Sequence, residues 1–260
     1  MACSTPSVLI VPGSFSSGEF YYPLRDAIMA QGFEAKAINL PTVKINPNDT
    51  RTPPPMYADA DLVAAEVEKL ADEGKDVIVV AHSYGGVPMT QGAAGLGKAT
   101  RAKEGKKGGI TTLAYMTAFL PELGQAAIEI LSDVPPGQAI QVGDDNGWWY
   151  HLNRTAAVDL VFNDLPREEA LEWSTRFGNH SAQSFLDPTT QLGYLEEDVA
   201  ISYLFCEHDR TIPPTHQQRS IDIAERQGKT VAVTRIAADH APMLSAFDEV
   251  VGWIVGIARG

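Results

Sequence analysis

The chain has 260 residues, 44% of them apolar and 20% charged, with a formal net charge of −13. That length supports one large core and excludes two ordinary domains plus a linker, and the composition excludes a chain dominated by disorder. The negative field repels phosphate backbones and anionic lipid, so neither nucleic acid nor a membrane is an expected partner.

Short β-rich runs alternate with helical patterns along the chain. SVLIVPG (7–13) reads as a buried strand entering a glycine turn, EFYYPLRDAIMAQGF (19–33) as a helix stopped at Gly32, and EAKAINLP (34–41) as a second strand. A proline-rich loop is expected over 42–59, a helix over 60–75, a strand in DVIVVAHS (76–83) and a helix over 86–96. The basic stretch GKATRAKEGKKGG (97–109) has glycines and no aromatic, so it reads as a solvated loop. Strands follow in ITTLAYMTAFL (110–120) and AISYLFCEHD (200–209), then a helix over 214–227, a strand in TVAVTRIAA (230–238) and a helix over 244–258. Strands buried on both faces and separated by helices predict an α/β fold, a mostly parallel sheet with helices on both faces.

Residues 121–199 break this rhythm, being mostly helix and loop with no strand for the sheet. They predict a helical lid inserted between two sheet strands, which divides the chain into a core of 1–120 and 200–260 and a lid of 121–199. Two cysteines, Cys3 and Cys206, give no disulfide framework and suit a reducing compartment. With no basic region ahead of the short N-terminal apolar run, the chain is expected to be cytoplasmic, as a monomer or homodimer.

VVAHSYGGV (79–87) carries the chemistry. A small-x-Ser-x-Gly pattern that closes a strand and opens a helix holds a serine hydroxyl above the sheet edge, and Ala81–Ser83–Gly85 falls at such a junction. A serine needs a base to take its proton, and the base needs an acid to hold its tautomer. Asp209 and His240 each follow a later strand, in the order serine, acid, histidine that this architecture uses. Glu207 is the competing acid, nearer the strand body. Asp239 is an unsuitable partner, because neighbours on an extended chain point apart. His82 should make a structural hydrogen bond beneath the serine, His208 and His216 suit the surface, and His151 and His180 lie in the lid, where either could touch substrate. The oxyanion needs two N–H donors, expected from Tyr84 after the serine and from Ser14, beside Phe15, in the loop PGSFSSG (12–18).

The runs VLIVPGSFSSGEFYYPLRDAIMAQGFEAKAINLP, VVAHSYGGVP, LAYMTAFLPELGQ, CEHDRTIPPTHQQ and DHAPMLS resemble the α/β-hydrolase fold superfamily. More closely, they are similar to its branch of small-molecule esterases, plant methylesterases and hydroxynitrile lyases. By that likeness Ser83, Asp209 and His240 match the triad, and Ser14 and Tyr84 the oxyanion hole. The family's usual His-Gly after the first strand is Pro12-Gly13 here, and its first elbow glycine is Ala81. The lyases' Thr and Lys are replaced by Gly13 and Ala241, so the resemblance implies an esterase rather than a lyase.

The lid carries Trp148, Trp149, Tyr150, Trp173, Phe177 and Phe185. Phe15, Trp148, Trp149, Tyr150 and His180 are the expected contacts to an apolar or aromatic small-molecule substrate. No metal or organic cofactor is expected, because no Cys, His or carboxylate cluster has ligand spacing. The expected function is a serine hydrolase acting on an ester or a related activated carbonyl. A carbon–carbon hydrolase or lyase on a β-diketone or polyketide-like substrate, and a ligand-binding protein of the same fold, are the alternatives.

Overall fold

Successive side chains of a strand point to opposite faces, and in β1 (Ser7–Val11) both sets are apolar. Leu9 and Val11 pack with Met56 and Val63 of the helix Met56–Asp72. Val8 and Ile10 pack on the other face, with Leu24 and Ile28 of the helix Tyr22–Ala30 and with Trp253 and Ile254 of the helix Phe247–Arg259. The continuous apolar runs in the sequence are thus those of a sheet covered on both sides.

The computed structural model describes residues 5–46, 48–133, 141–144 and 146–260. After β1 come β2 (Glu34–Ala37), β3 (Val43–Lys44), β4 (Asp76–His82), β5 (Gly109–Met116), β6 (Gln141–Gly143), β7 (Trp148–His151), β8 (Asn179–Ser181), β9 (Ala200–Cys206) and β10 (Val231–Ile236). Six of them form one sheet in the order β10-β9-β5-β4-β1-β2, with every neighbouring pair parallel. All six carboxyl ends therefore share one edge, where open α/β sheets bind ligands, and β4 lies in the interior of the order.

Four local expectations are corrected. The strand expected over 110–120 stops at Met116, because Thr117 turns the chain with φ of 37°. The loop expected over 97–109 contains the helix Lys98–Lys103, in which Arg101 is buried and pairs with Asp72, while Lys98, Lys103 and Lys106 pair with Asp76, Glu197 and Glu104. The loop expected over 42–59 holds β3, and the helix expected to start at 60 begins at Met56.

The fourth concerns the insertion. It carries the helices Arg154–Val161 and Arg167–Ser174, and also β6, β7 and β8. These join β3 in a second, antiparallel sheet of order β3-β8-β7-β6, so a strand from the region before residue 120 is part of the insertion's sheet. Strands this short, with mixed aromatic and polar residues, give no period-2 pattern to read. Part of the insertion, 134–140, lies outside the described residues, as does Cys3; Cys206 is buried and free. Among the described residues no helix is long and apolar enough to cross a membrane.

Candidate active site

The turn after β4 is built for close approach. Ser83 adopts φ of 53°, a left-handed conformation that side chains rarely take. A Cβ on Gly85 would lie 2.5 Å from the Pro12 carbonyl oxygen, and one on Gly86 would lie 2.0 Å from that of Phe119. Only glycine fits at either position. Among the described residues, Phe15, Ser83 and Thr117 are the non-glycine residues with positive φ, and all three lie at the carboxyl edge of the sheet. Such strain gathers at functional sites, held by the structure around it.

Three side chains from separate strand ends meet there. His240 Nε2 lies 2.9 Å from Ser83 Oγ, and its Nδ1 lies 2.7 Å from Asp209 Oδ2. Asp209 Oδ1 accepts the N–H groups of Thr211 and Ile212 at 2.7 and 2.8 Å, and Oδ2 also accepts the Thr117 hydroxyl. With its acceptor sites filled and its side chain out of solvent, the carboxylate fixes the proton of His240 on Nδ1 and leaves Nε2 free to accept from Ser83. The competing Glu207 is exposed. Asp239 turns away from His240, accepting from Ala241 N–H, Asp164 N–H and the Ser245 hydroxyl. His208 is exposed, but His216 is buried, with Nε2 2.7 Å from Asp133 Oδ1, which corrects its surface reading.

The loop after β1 is tied to this group from below. Gly13 N–H donates to the Tyr21 hydroxyl at 2.9 Å, that hydroxyl lies 2.7 Å from His82 Nδ1, and His82 Nε2 lies 2.6 Å from the His240 carbonyl oxygen. The carbonyl can only accept, so the proton of the neutral His82 ring is on Nε2 and its Nδ1 accepts from the Tyr21 hydroxyl. Burial holds the His82 pKa well below the ordinary value, in keeping with that neutral form. Tyr21 thereby braces the loop beside Pro12. Tyr84, buried, sends its hydroxyl to Asp59 Oδ2 at 3.0 Å, and Asp59 also accepts from the N–H and hydroxyl of Thr42. Burial pushes the Asp59 carboxyl up to about 7 against those hydrogen bonds.

A cavity of about 50 Å³ opens over Ser83 and His240. Ser14 and Phe15 line it, together with His151, Val161, Phe177 and Thr211. Four expected substrate contacts lie elsewhere. Trp148 is buried under Lys44 and Arg51, whose cations sit 4.7 and 5.7 Å from its ring centre. Trp149 packs on Phe185, their rings 4.9 Å apart. Tyr150 lines a neighbouring cleft with Asp144, Arg154 and Asn179, which shares His151 and Phe177 with this cavity. His180 is fully buried behind the loop, its Nδ1 accepting the Phe15 N–H at 3.1 Å. All four stand on β7 or β8, whose pairing within the second sheet sets their directions. His151, in the same strand, does reach the cavity, its ring 4.4 Å from that of Phe15, and burial lowers its pKa to about 4. Thr211 and Val161 had no signal beyond standing near Asp209 or on a helix. Among the described residues no group of three or more His, Cys, Asp or Glu side chains could hold a metal ion.

The family model described as the Alpha/beta hydrolase family matches residues 8–253. A relative, the "Probable hydrolase R7" of Phoma sp., is 35% identical over 91% of this chain and 91% of its own length. Among solved structures, polyneuridine aldehyde esterase superposes with a TM-score of 0.76 at 18% identity, covering 98% of this chain and 100% of that one. The methylesterase MES16 from Arabidopsis superposes with a TM-score of 0.73 at 15% identity, covering 98% and 99%. Matched over nearly its whole length by the family model, and by a relative above 30% identity, this chain belongs to the Alpha/beta hydrolase family and is a hydrolase.

Proposed function

We propose that the chain is a serine hydrolase that cleaves an ester, or a related activated carbonyl, of an apolar small molecule. The observation that carries this reading is the hydrogen-bonded series Ser83–His240–Asp209 at the floor of a cavity. Ser83 Oγ attacks the carbonyl carbon while His240 Nε2 takes its proton, and Asp209 stabilises the imidazolium that forms. The N–H groups of Ser14 and Tyr84 receive the oxyanion. Collapse of the tetrahedral intermediate expels the alcohol, which takes the proton from His240, and water then hydrolyses the acyl-enzyme by the same route.

Phe15, Val161 and Phe177 give the cavity apolar walls. Its volume of about 50 Å³ takes roughly three or four water-sized groups, which favours a short acyl group. The names of the structurally similar esterase and methylesterase agree with ester cleavage.

The test is intact-mass spectrometry after treatment with a fluorophosphonate, with peptide mapping. A single adduct on Ser83 is expected, absent in Ser83→Ala, and that variant should turn over an ester at least about a thousandfold more slowly. An unlabelled folded protein, or an adduct elsewhere, would overturn the reading.

A further inference from the structure

Three successive amides follow β1, and the outer two are spoken for. Gly13 N–H goes to Tyr21 and Phe15 N–H to His180 Nδ1, at 2.9 and 3.1 Å. Among the described residues nothing accepts the N–H of Ser14 between them. The Phe15 carbonyl in turn accepts the N–H of Gly178 at 2.8 Å. Both backbone groups of Phe15, held at φ of 62°, are therefore bonded to residues 178–180 of the insertion.

This hold is built with care for protonation. An N–H that donates to Nδ1 requires the proton of His180 to be on Nε2 and the ring to be neutral. Burial lowers the His180 pKa to about 3, so the acceptor persists across the neutral range. The Nε2–H has no partner among the described residues, and the ring stands at a steep angle to those of Tyr84 and Phe185, with centroids 4.6 and 5.0 Å away. Pairing of His180 with Val43 on one side and Trp149 on the other fixes the strand that carries it. A Cβ on Gly178 would lie 2.6 Å from the Lys44 carbonyl oxygen, so glycine is what allows the close approach.

We infer that His180, helped by the Gly178 N–H, is a positioning residue for the Ser14 N–H, so that the insertion and not the core sheet alone aims this donor at the oxyanion. The inference rests on the serine-hydrolase reading above. Without the acceptor, Phe15 can leave its left-handed conformation and carry the Ser14 N–H away from the carbonyl. A displacement of this kind weakens stabilisation of the transition state.

The experiment compares the rate constant for fluorophosphonate inactivation in the wild type, His180→Leu and His180→Asn, alongside the ¹H–¹⁵N imidazole spectrum of the wild type. Asparagine places its Oδ1 near the position of Nδ1, whereas leucine fills the space with no acceptor. His180→Leu should react at least about tenfold more slowly and His180→Asn within about threefold of the wild type, a rescue that loss of packing alone does not produce. The imidazole spectrum should report the neutral Nε2–H tautomer down to pH 5. Wild-type reactivity in His180→Leu would overturn the inference, as would an Nδ1–H or cationic His180. Should His180→Leu not fold, a His180→Asn rate more than about tenfold below wild type would do the same. A wild type that takes no label would defeat the hydrolase reading separately, and the spectrum would still decide whether His180 accepts from Phe15.

Discussion

At the scale of single residues, the site is set by which groups are kept neutral. His82 and His180 are buried and His151 is half-buried, and burial depresses the pKa of each, to about 4 for His151 and about 3 for His180. Their unfolded forms titrate near 6.5, so below that pH the unfolded chain takes up protons that the folded chain refuses. Each such histidine costs about 1.4 kcal/mol of stability per pH unit until its own folded pKa is reached. Asp59 and Asp239, whose carboxyls are raised by burial, act in the opposite direction, since the folded state holds their protons more tightly. Three histidines outweigh two carboxyls, and the midpoint of thermal unfolding should fall between pH 7 and pH 5. A midpoint that stays level or rises in differential scanning calorimetry would contradict this accounting.

At the scale of elements, the strand-to-helix turn depends on absent side chains. The helix Gly86–Gly92 begins directly beneath the chain that leaves β5, and the Phe119 N–H donates to the Ser83 carbonyl at 3.1 Å. A methyl group at Gly86 would meet the Phe119 carbonyl at 2.0 Å, and neither backbone can yield without disturbing Ser83 or Thr117. Gly86→Ala should therefore destabilise the protein by about 3 kcal/mol, the upper range for overpacking, measured by urea unfolding. A loss below about 0.5 kcal/mol would place it with ordinary surface changes and show that the turn relaxes freely.

Across the whole molecule, the cavity is enclosed partly by the insertion, through His151, Val161 and Phe177, and partly by the core, through Ser14, Phe15, Thr211 and His240. Its volume is about 50 Å³, and the neighbouring cleft shares His151 and Phe177 with it. Esters with a two-carbon acyl group should be cleaved with kcat/KM at least about tenfold above those with an eight-carbon chain, because seating the longer chain over Ser83 must displace the side chains that bound the cavity. Equal rates across a p-nitrophenyl ester series would mean that the insertion moves far enough to remove the restriction.

Much of this was legible in the chain itself. Apolar runs bounded by glycine, separated by helical patterns, predict a parallel sheet because burial on both faces leaves no polar alternation. The order Ser83, Asp209, His240 follows from each residue standing just past a strand, and parallel strands bring all such positions to one edge. The cavity-lining residues were not legible in the same way. Trp148 and His151 belong to one four-residue strand, yet one is packed beneath cations and the other faces the cavity. The strands of the second sheet were also missed, since they are too short for periodicity to register. Local periodicity and the order of residues along the chain thus determined the fold class and the three residues of the proposed triad. Only the tertiary structure decided what supports them: Tyr21 and His82 beneath the loop, and His180 reaching Phe15 across 165 positions. Contacts between such distant residues arise from how sheets and loops pack, and no local pattern encodes them.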